Sequence, residues 1–249
     1  MHVTSISSPK FKTQKTALFV LLLYIAALLS SIVLVIPGVR DFSLNLIPDS
    51  EHKEFVLMAW WNTIAFMIAL VIMIIIIRRD KNFFNVFKEQ RASIGVTIGW
   101  GVIGVFLAFS GQILASLIEV YLLGIKPGSE NTALIMDITR VAPIMIVSSA
   151  LLAPILEELI FRRVIFGSLI QRQNFWVSAL ISAVVFAVIH RDLPHLLVYT
   201  VMGLIFSFLY FKTKRLLAPI IAHMLMNGLV TLAQLNIDKI PQVIESIPK

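Results

Sequence analysis

Apolar residues run along this chain in long blocks, not at the alternating period of a half-buried strand. Seven blocks stand out: Ala17–Ile36, Phe55–Ile77, Ser93–Leu123, Val141–Ile170, Phe175–His190, His195–Phe211 and Leu216–Leu235. A helix needs about 20 apolar residues to cross the hydrocarbon core of a bilayer, so the blocks predict membrane-spanning helices. The third and fourth exceed that length and are expected to tilt, break or protrude. Pro143 and Pro154 mark the expected breaks in the fourth. Gly95 and Gly99 in the third have the small-xxx-small spacing that lets membrane helices approach closely, which predicts a packing face there. The fold class that follows is all-α, a polytopic transmembrane helix bundle of about seven spans. It forms a single integral membrane domain over residues 1–249, without internal repeat, low-complexity tract or soluble domain.

Composition strengthens this reading. Hydrophobic residues make up 58% of the chain and charged residues 14%, where a soluble domain carries about 25% charged residues. The net charge of +7 is distributed unevenly. Lys10, Lys12 and Lys15 precede the first block; Arg78, Arg79, Lys81, Lys88 and Arg91 follow the second; Arg162, Arg163 and Arg172 lie towards the end of the fourth; Lys212, Lys214 and Arg215 follow the sixth. The alternate loops are mixed or acidic, with Asp41, Asp49 and Glu51 in one and Glu130 and Asp137 in the other. Every second loop is basic, as the positive-inside rule requires, so the N-terminus is expected in the cytoplasm and the C-terminus outside. Lysines and arginines placed this way mark topology, and no nucleic-acid partner is expected. The N-terminal lysines before an apolar run resemble a signal peptide. At about 20 residues the run is too long for an h-region, and it reads as a retained first span. The chain has no cysteine, which excludes disulfides, thiolate zinc sites and a cysteine nucleophile.

Against this background 155-ILEELIFRRV-164 is anomalous, because charges inside a membrane segment are costly and default to a functional reading. Glu158 and Arg162 are spaced i,i+4 and can pair on one helix face. Glu157 sits about 100° round the helix and lacks that partner. Downstream, Phe186 and His190 share a face in 186-FAVIH-190, and His223 and Asn227 lie one turn apart in 223-HMLMN-227. Glu157 lies 17 residues before Asn174 and His190 lies 16 after it, so the two come level in a hairpin at 1.5 Å per residue. His223 lies only eight residues beyond Arg215. It reaches the same depth only if the first two helices extend past the membrane or its own helix is shifted. Hydrolysis of a peptide bond within a membrane needs a water pocket, a base and donors for the developing oxyanion. Glu157 is suited to take a proton from water that His190 positions, and His223 and Asn227 to donate to the carbonyl oxygen. A zinc shell of Glu157, His190 and His223 is the alternative, although the spacing is not that of an HExxH helix. Gln112 and Glu119 share a helix face and are candidates for lining the same cavity. His195 reads as an interfacial residue and Phe186 as packing.

The three motifs together carry a resemblance. EELIFR fits EExxxR, FAVIH fits FxxxH, and HMLMN fits HxxxN of the CAAX protease and bacteriocin-processing (CPBP, Abi) family of intramembrane proteases, which includes the Ras-converting CAAX endopeptidases. The motifs fall in the family's order across Pro154–Leu235, within an expected family core of residues 141–235. The resemblance implies a conical intramembrane catalytic cavity, with Glu157 as catalytic carboxylate and Glu158 and Arg162 completing its motif. It implies His190 as the partner in handling water, and His223 and Asn227 as the oxyanion or ligand pair. It leaves open whether the enzyme is glutamate-dependent, needing no cofactor, or a metalloprotease holding Zn2+. The implied activity is endopeptidase cleavage of a small membrane-associated or lipidated peptide, in a bacterial plasma membrane. The alternative is a non-catalytic bacteriocin-immunity or scaffolding protein of the membrane. A proton-coupled transporter would predict inverted repeats, and the sequence has none. Many relatives have glycine after the motif's arginine; Arg163 stands there here and is expected to add a charge near the site mouth.

Overall fold

The computed structural model describes residues 11–236, and among these the regular elements are all helical. Lys10 and the C-terminus, with its expected external placement, lie outside the described residues. Helix α1 (Phe11–Leu29) runs into a 3₁₀ turn, Ser30–Val35, and a short helix α2 (Pro37–Asn45). Two long helices follow, α3 (Lys53–Arg78) and α4 (Ile94–Tyr121), then α5 (Glu130–Val141). The next stretch is composite: a π-helical turn Val147–Leu152, α6 (Ala153–Glu157), a second π-helical stretch Glu158–Phe166, and α7 (Gly167–Leu169). Helices α8 (Phe175–Ile189), α9 (Leu196–Thr213) and α10 (Leu217–Leu235) complete the bundle.

Among the described residues five stretches are long and apolar enough to cross a membrane: Thr13–Val35, Lys53–Arg78, Ile94–Tyr121, Leu193–Thr213 and Leu217–Leu235. The other two expected spans differ in kind. Helix α8 is only 15 residues long. The fourth apolar block breaks at Ala142–Pro143 and resumes as helix widened on both sides of Pro154. Proline lacks an N–H and crowds the preceding turn, and a shift to the wider i→i+5 pattern accommodates it. The widened turns offer carbonyls that neighbouring helices satisfy. Ser182 Oγ donates to Phe161 O at 2.6 Å, and Asn227 Nδ2 donates to Ser149 O at 3.0 Å. Helix α5 occupies what reads in sequence as loop. Its start is capped by Ser129, whose Oγ accepts from Thr132 N at 3.1 Å, with Glu130 in the first turn and Arg140 in the last.

The expected packing role of Gly95 and Gly99 is not realised, since a Cβ at either would meet nothing within 4 Å. Both lie exposed in the first turns of α4. The close approaches occur one and two turns further on. A Cβ on Gly101 would sit 2.8 Å from Ile221 Cβ, and one on Gly104 would sit 2.9 Å from Ala222 Cβ, which seats α4 against α10. A Cβ on Gly203 of α9 would sit 2.8 Å from Ala183 Cα of α8. Lipid-facing positions such as Phe106, Ile113, Leu114 and Trp176 are exposed large apolar side chains, and the main buried cluster gathers Tyr24, Met73, Leu156, Phe161, Phe186 and Tyr210.

Candidate active site

Four segments converge on the first motif: the widened α6 stretch and helices α8, α9 and α10. Glu158 and Arg162 are both fully buried, with Arg162 Nε 3.1 Å from Glu158 Oε2. Their expected pairing is present, although the N–H is not aimed at the oxygen and both atoms lack a directed hydrogen bond. Arg162 is held in other ways as well. Its Nη2 donates to Gly203 O at 3.3 Å, and its guanidinium lies 4.5 Å from the Phe186 ring centroid and 5.2 Å from that of Phe206. Aromatic faces supply negative potential to a cation that has left water.

His223 reaches this depth and joins the pair. Its Nδ1 lies 2.9 Å from Glu158 Oε1, its Nε2 lies 3.7 Å from Glu157 Oε2, and its ring stacks on Phe206 at 4.7 Å. A carboxylate only accepts, so Nδ1 carries the proton and donates to Glu158. Nε2 then turns to Glu157 and the space beyond it. The supporting carboxylate therefore fixes the tautomer of the histidine, a link that i,i+4 spacing alone could not reveal. Among the described residues Glu157 has neither lysine nor arginine paired with it, and its 3.7 Å separation from His223 suits a shared water better than a direct bond.

His190 is oriented from its own helix. Its Nδ1 lies 2.7 Å from the Phe186 carbonyl and donates to it, leaving Nε2 as an acceptor. The ring is held between Tyr199, stacked at 4.2 Å, and Phe186 at 4.5 Å. Phe186 thus packs, as expected, and also provides the carbonyl that sets the histidine.

Glu157, His190, His223 and Asn227 all line one cavity of about 740 Å3. Tyr24, Ser148 and Tyr199 line it too and carry no motif. Ser148 is fully buried with a hydroxyl that has no partner in the protein. Its place between Pro143 and Pro154 was the available sequence signal. His190 and Glu157 share the cavity without a hydrogen bond between them. Among the described residues no three His, Asp or Glu side chains converge closely enough to hold a metal ion. Nδ1 of His223 is taken by Glu158 and Nδ1 of His190 by the Phe186 carbonyl, so Nε2 is the nitrogen that each histidine offers to the cavity.

Three expectations are corrected. Glu119 does not line the cavity. It is buried against His195, whose Nδ1 lies 2.8 Å from Glu119 Oε2 and whose Nε2 lies 2.8 Å from Gly128 O. The other Glu119 oxygen accepts from Val198 N at 3.1 Å. With acceptors on both nitrogens, His195 is a clasp between α4, α9 and the loop before α5, and not a free interfacial residue. Arg163 is not at the cavity mouth. It is buried at the opposite end, where its Nε donates to Phe83 O and its guanidinium lies 4.2 Å from the Phe83 ring.

A helical membrane bundle with a carboxylate and two oriented histidines on one cavity of about 740 Å3 has the parts that a membrane-embedded hydrolase needs. The comparisons sharpen that class. Residues 139–229 match the model of the type II CAAX prenyl endopeptidase Rce1-like family. The chain is 40% identical over 218 residues to the "Putative membrane peptidase YdiL" of Bacillus subtilis, covering 88% of each chain. It is 35% identical over 178 residues to the "Membrane-embedded CAAX protease MroQ" of Staphylococcus aureus, covering 69% of this chain and 72% of that one. No solved structure matches. The chain belongs to the CAAX protease and bacteriocin-processing family, with its Rce1-like core, and is an integral-membrane protease of that family.

Proposed function

We propose that this protease is a glutamate-dependent endopeptidase that hydrolyses a peptide bond of a small membrane-associated or lipidated peptide. The observation that carries the reading is the single cavity of about 740 Å3 that Glu157, His190, His223 and Asn227 line together, with Glu157 free of any arginine or lysine partner. A water bound between Glu157 and the two histidines gives up a proton to the Glu157 carboxylate as its oxygen attacks the scissile carbonyl. His190, fixed by the Phe186 carbonyl, accepts from that water and aims it. Asn227, already donating to Ser149 O, has a second amide N–H for the developing oxyanion, and Ser148 has a hydroxyl. Nε2 of His223, turned to the cavity because Nδ1 is engaged by Glu158, joins them as a donor when it carries a proton. The proton on Glu157 then passes to the leaving amine.

Arg162 and Glu158 act at one remove, as the pair that sets His223. The bacterial relatives and the charge alternation support a bacterial plasma membrane with the N-terminus in the cytoplasm. The family's name suggests prenylated tails, and peptide precursors of pheromone or bacteriocin type fit the cavity's mixed lining equally well.

The test is cleavage of a panel of membrane-anchored peptides by purified protein in nanodiscs. Wild type is compared with Glu157→Gln and His223→Ala, with and without a strong chelator. Loss in both variants and survival of wild type in chelator is the expected result. Loss with chelator and recovery with zinc would replace the mechanism by a metal-dependent one. A wild type that cuts nothing, yet binds a peptide partner regardless of Glu157, would leave an immunity or scaffolding role instead.

A further inference from the structure

The cavity and the basic loops lie at opposite ends of the bundle. On the long helices that line it, the cavity lies towards one end and leaves the first or last turns at the other end untouched. In α1 it is lined from Tyr24 onward, in α3 by residues from Met58 to Phe66, in α9 by Tyr199 and Met202, and in α10 by residues from His223 to Thr231. These portions all point to the end bearing the loops before α3, before α5 and before α9. Arg191, which follows α8 with a left-handed φ of 56°, also lines the cavity at that end.

The other end is closed and cationic. The segment after α3 folds against the second π-helical stretch and the α9–α10 turn: Arg163 donates to Phe83 O, Arg215 Nε donates to Ala92 O at 2.6 Å, and Ala92 N donates to Thr213 O at 3.0 Å. Between this end and Glu157 lie Ile160, Phe161, Phe166 and Tyr210, all at most 1% exposed. A smaller pocket of about 290 Å3 at the basic end is lined by Thr13, Gln14, Arg163 and Arg172 among others and shares no residue with the cavity.

The positive-inside rule assigns the arginine- and lysine-rich end to the cytoplasm. Charges at the cavity end are mixed, Asp41, Asp49, Glu51, Glu54, Glu130 and Asp137 alongside Arg40, Lys53, Lys126 and Arg140. We infer that the cavity is entered from the non-cytoplasmic face, so that its substrate is a membrane-anchored peptide whose cleavable bond lies at the outer leaflet. Leu28, Met58 and Trp61 line the cavity on the α1 and α3 side, an apolar wall beside which an anchor can lie while the bond reaches Glu157. The substrate side of this inference rests on the proposed protease function; the direction of entry does not.

The absence of cysteine makes the direction measurable. Single cysteines are placed at the cavity, Asn131→Cys and separately Arg191→Cys, and at the basic end, Ser168→Cys, an exposed position beside the smaller pocket. Spheroplasts are treated with a membrane-impermeant maleimide, and labelling is expressed relative to permeabilised membranes. The expected ratio is near one for Asn131→Cys and Arg191→Cys and near zero for Ser168→Cys. Reversed ratios, or equal ones, overturn the inference. A second arm adds a peptide with a charged, impermeant flank to right-side-out and inverted vesicles. Cleavage is expected in the right-side-out vesicles alone, and cleavage confined to inverted vesicles overturns the inference. Cleavage in neither, with the labelling ratios as expected, counts against the enzymatic mechanism and leaves the direction of entry standing.

Discussion

The two ends of the bundle both carry charged side chains, of different balance, and use them differently. At the basic end the cations are tied to backbone and aromatic faces. Arg163 and Arg215 cap carbonyls of the segment after α3, Arg91 Nη2 donates to Phe84 O at 2.8 Å, and Lys214 Nζ sits 3.7 Å from the Phe211 centroid. At the cavity end the surface charges pair with one another, Lys53 with Asp49 at 2.7 Å and Arg140 with Asp137 at 3.4 Å. Further in, the Glu157 carboxylate and Nε2 of both histidines are turned to the cavity, and the buried Ser148 hydroxyl is without a partner among the described residues. The closed end meets most of its polar groups, since each unmet one costs about 1–3 kcal/mol, although the second oxygen of the buried Asp80 carboxylate is left without a partner there. An end built to receive water and substrate leaves several unmet by protein. The contrast within the first motif is the sharpest. Glu158, fully buried, has Arg162 and His223; Glu157, its neighbour in sequence, opens on the cavity with neither arginine nor lysine.

Exchanging the two glutamates' surroundings therefore gives the largest expected effects. Glu157→Gln should lower cleavage by about 10²–10⁴-fold, the usual worth of a general base. Its thermal stability in detergent should stay within about 0.5 kcal/mol of wild type, because no buried partner is orphaned. Arg162→Met leaves Glu158 buried without its cation and should cost about 3–5 kcal/mol of stability, read as a large fall in melting temperature. Equal stability losses in the two variants would erase the distinction between an open and a satisfied carboxylate.

Much of this site was legible from side-chain spacing. The i,i+4 rule separates Glu158 from Glu157 correctly, and the apolar blocks locate the long helices to within a few residues. What spacing cannot convey is a contact between segments far apart in the chain. The bond from His223 to Glu158 spans 65 residues, and the clasp of His195 on Glu119 spans 76. Both join a residue judged by its own helix to a partner on another. The glycines teach the same point. Gly95 and Gly99 have the textual spacing of a packing motif but lie on an outward face, whereas Gly101 and Gly104, spaced by three, meet α9 and α10. Helix α5 was hidden because its 12 residues are too polar to register as a span, even though Ser129 and Glu130 carry a start signal. The widened turns around Pro154 leave no clear sequence trace beyond the proline itself.

Asn227 and His223 test whether the cavity wall is functional or only structural. Alanine at His223 should lower cleavage by about 10²–10³-fold, the cost of one oxyanion donor. It should also destabilise the protein by about 1.5–3 kcal/mol, because a hydrogen bond to a charged carboxylate is lost. Asn227→Ala removes the donor to Ser149 O and should give a similar rate loss with about 1–3 kcal/mol of destabilisation. Asn227→Asp is the informative companion: it keeps the size and removes the N–H. Unchanged cleavage in Asn227→Asp would remove this residue from oxyanion binding. One step smaller, Gly203→Ala inserts a methyl 2.8 Å from Ala183 Cα. Overpacking of this kind costs about 1–3 kcal/mol, and here it also shifts the carbonyl that Arg162 uses. Its melting temperature should fall, with the rate falling less than in His223→Ala.

The smallest effect belongs to the charges outside the cavity. Arg40 Nη2 pairs with Glu54 Oε1, and the two side chains are 48% and 51% exposed. An ion pair this open is screened by water and salt, and its net worth is about 0–1 kcal/mol. Arg40→Ala should therefore leave the melting temperature nearly unchanged and cleavage unaltered, even though the pair stands on the same end of the bundle as the cavity. The comparison to make is with Arg162→Met, which also removes one arginine from one glutamate. If the surface variant were as damaging as the buried one, α2 would have to be fixed to α3 for the cavity to form, and α2 would join the wall of the site. If it is silent, the difference between the two arginines is burial alone, which is the difference that separates Glu158 from Glu157.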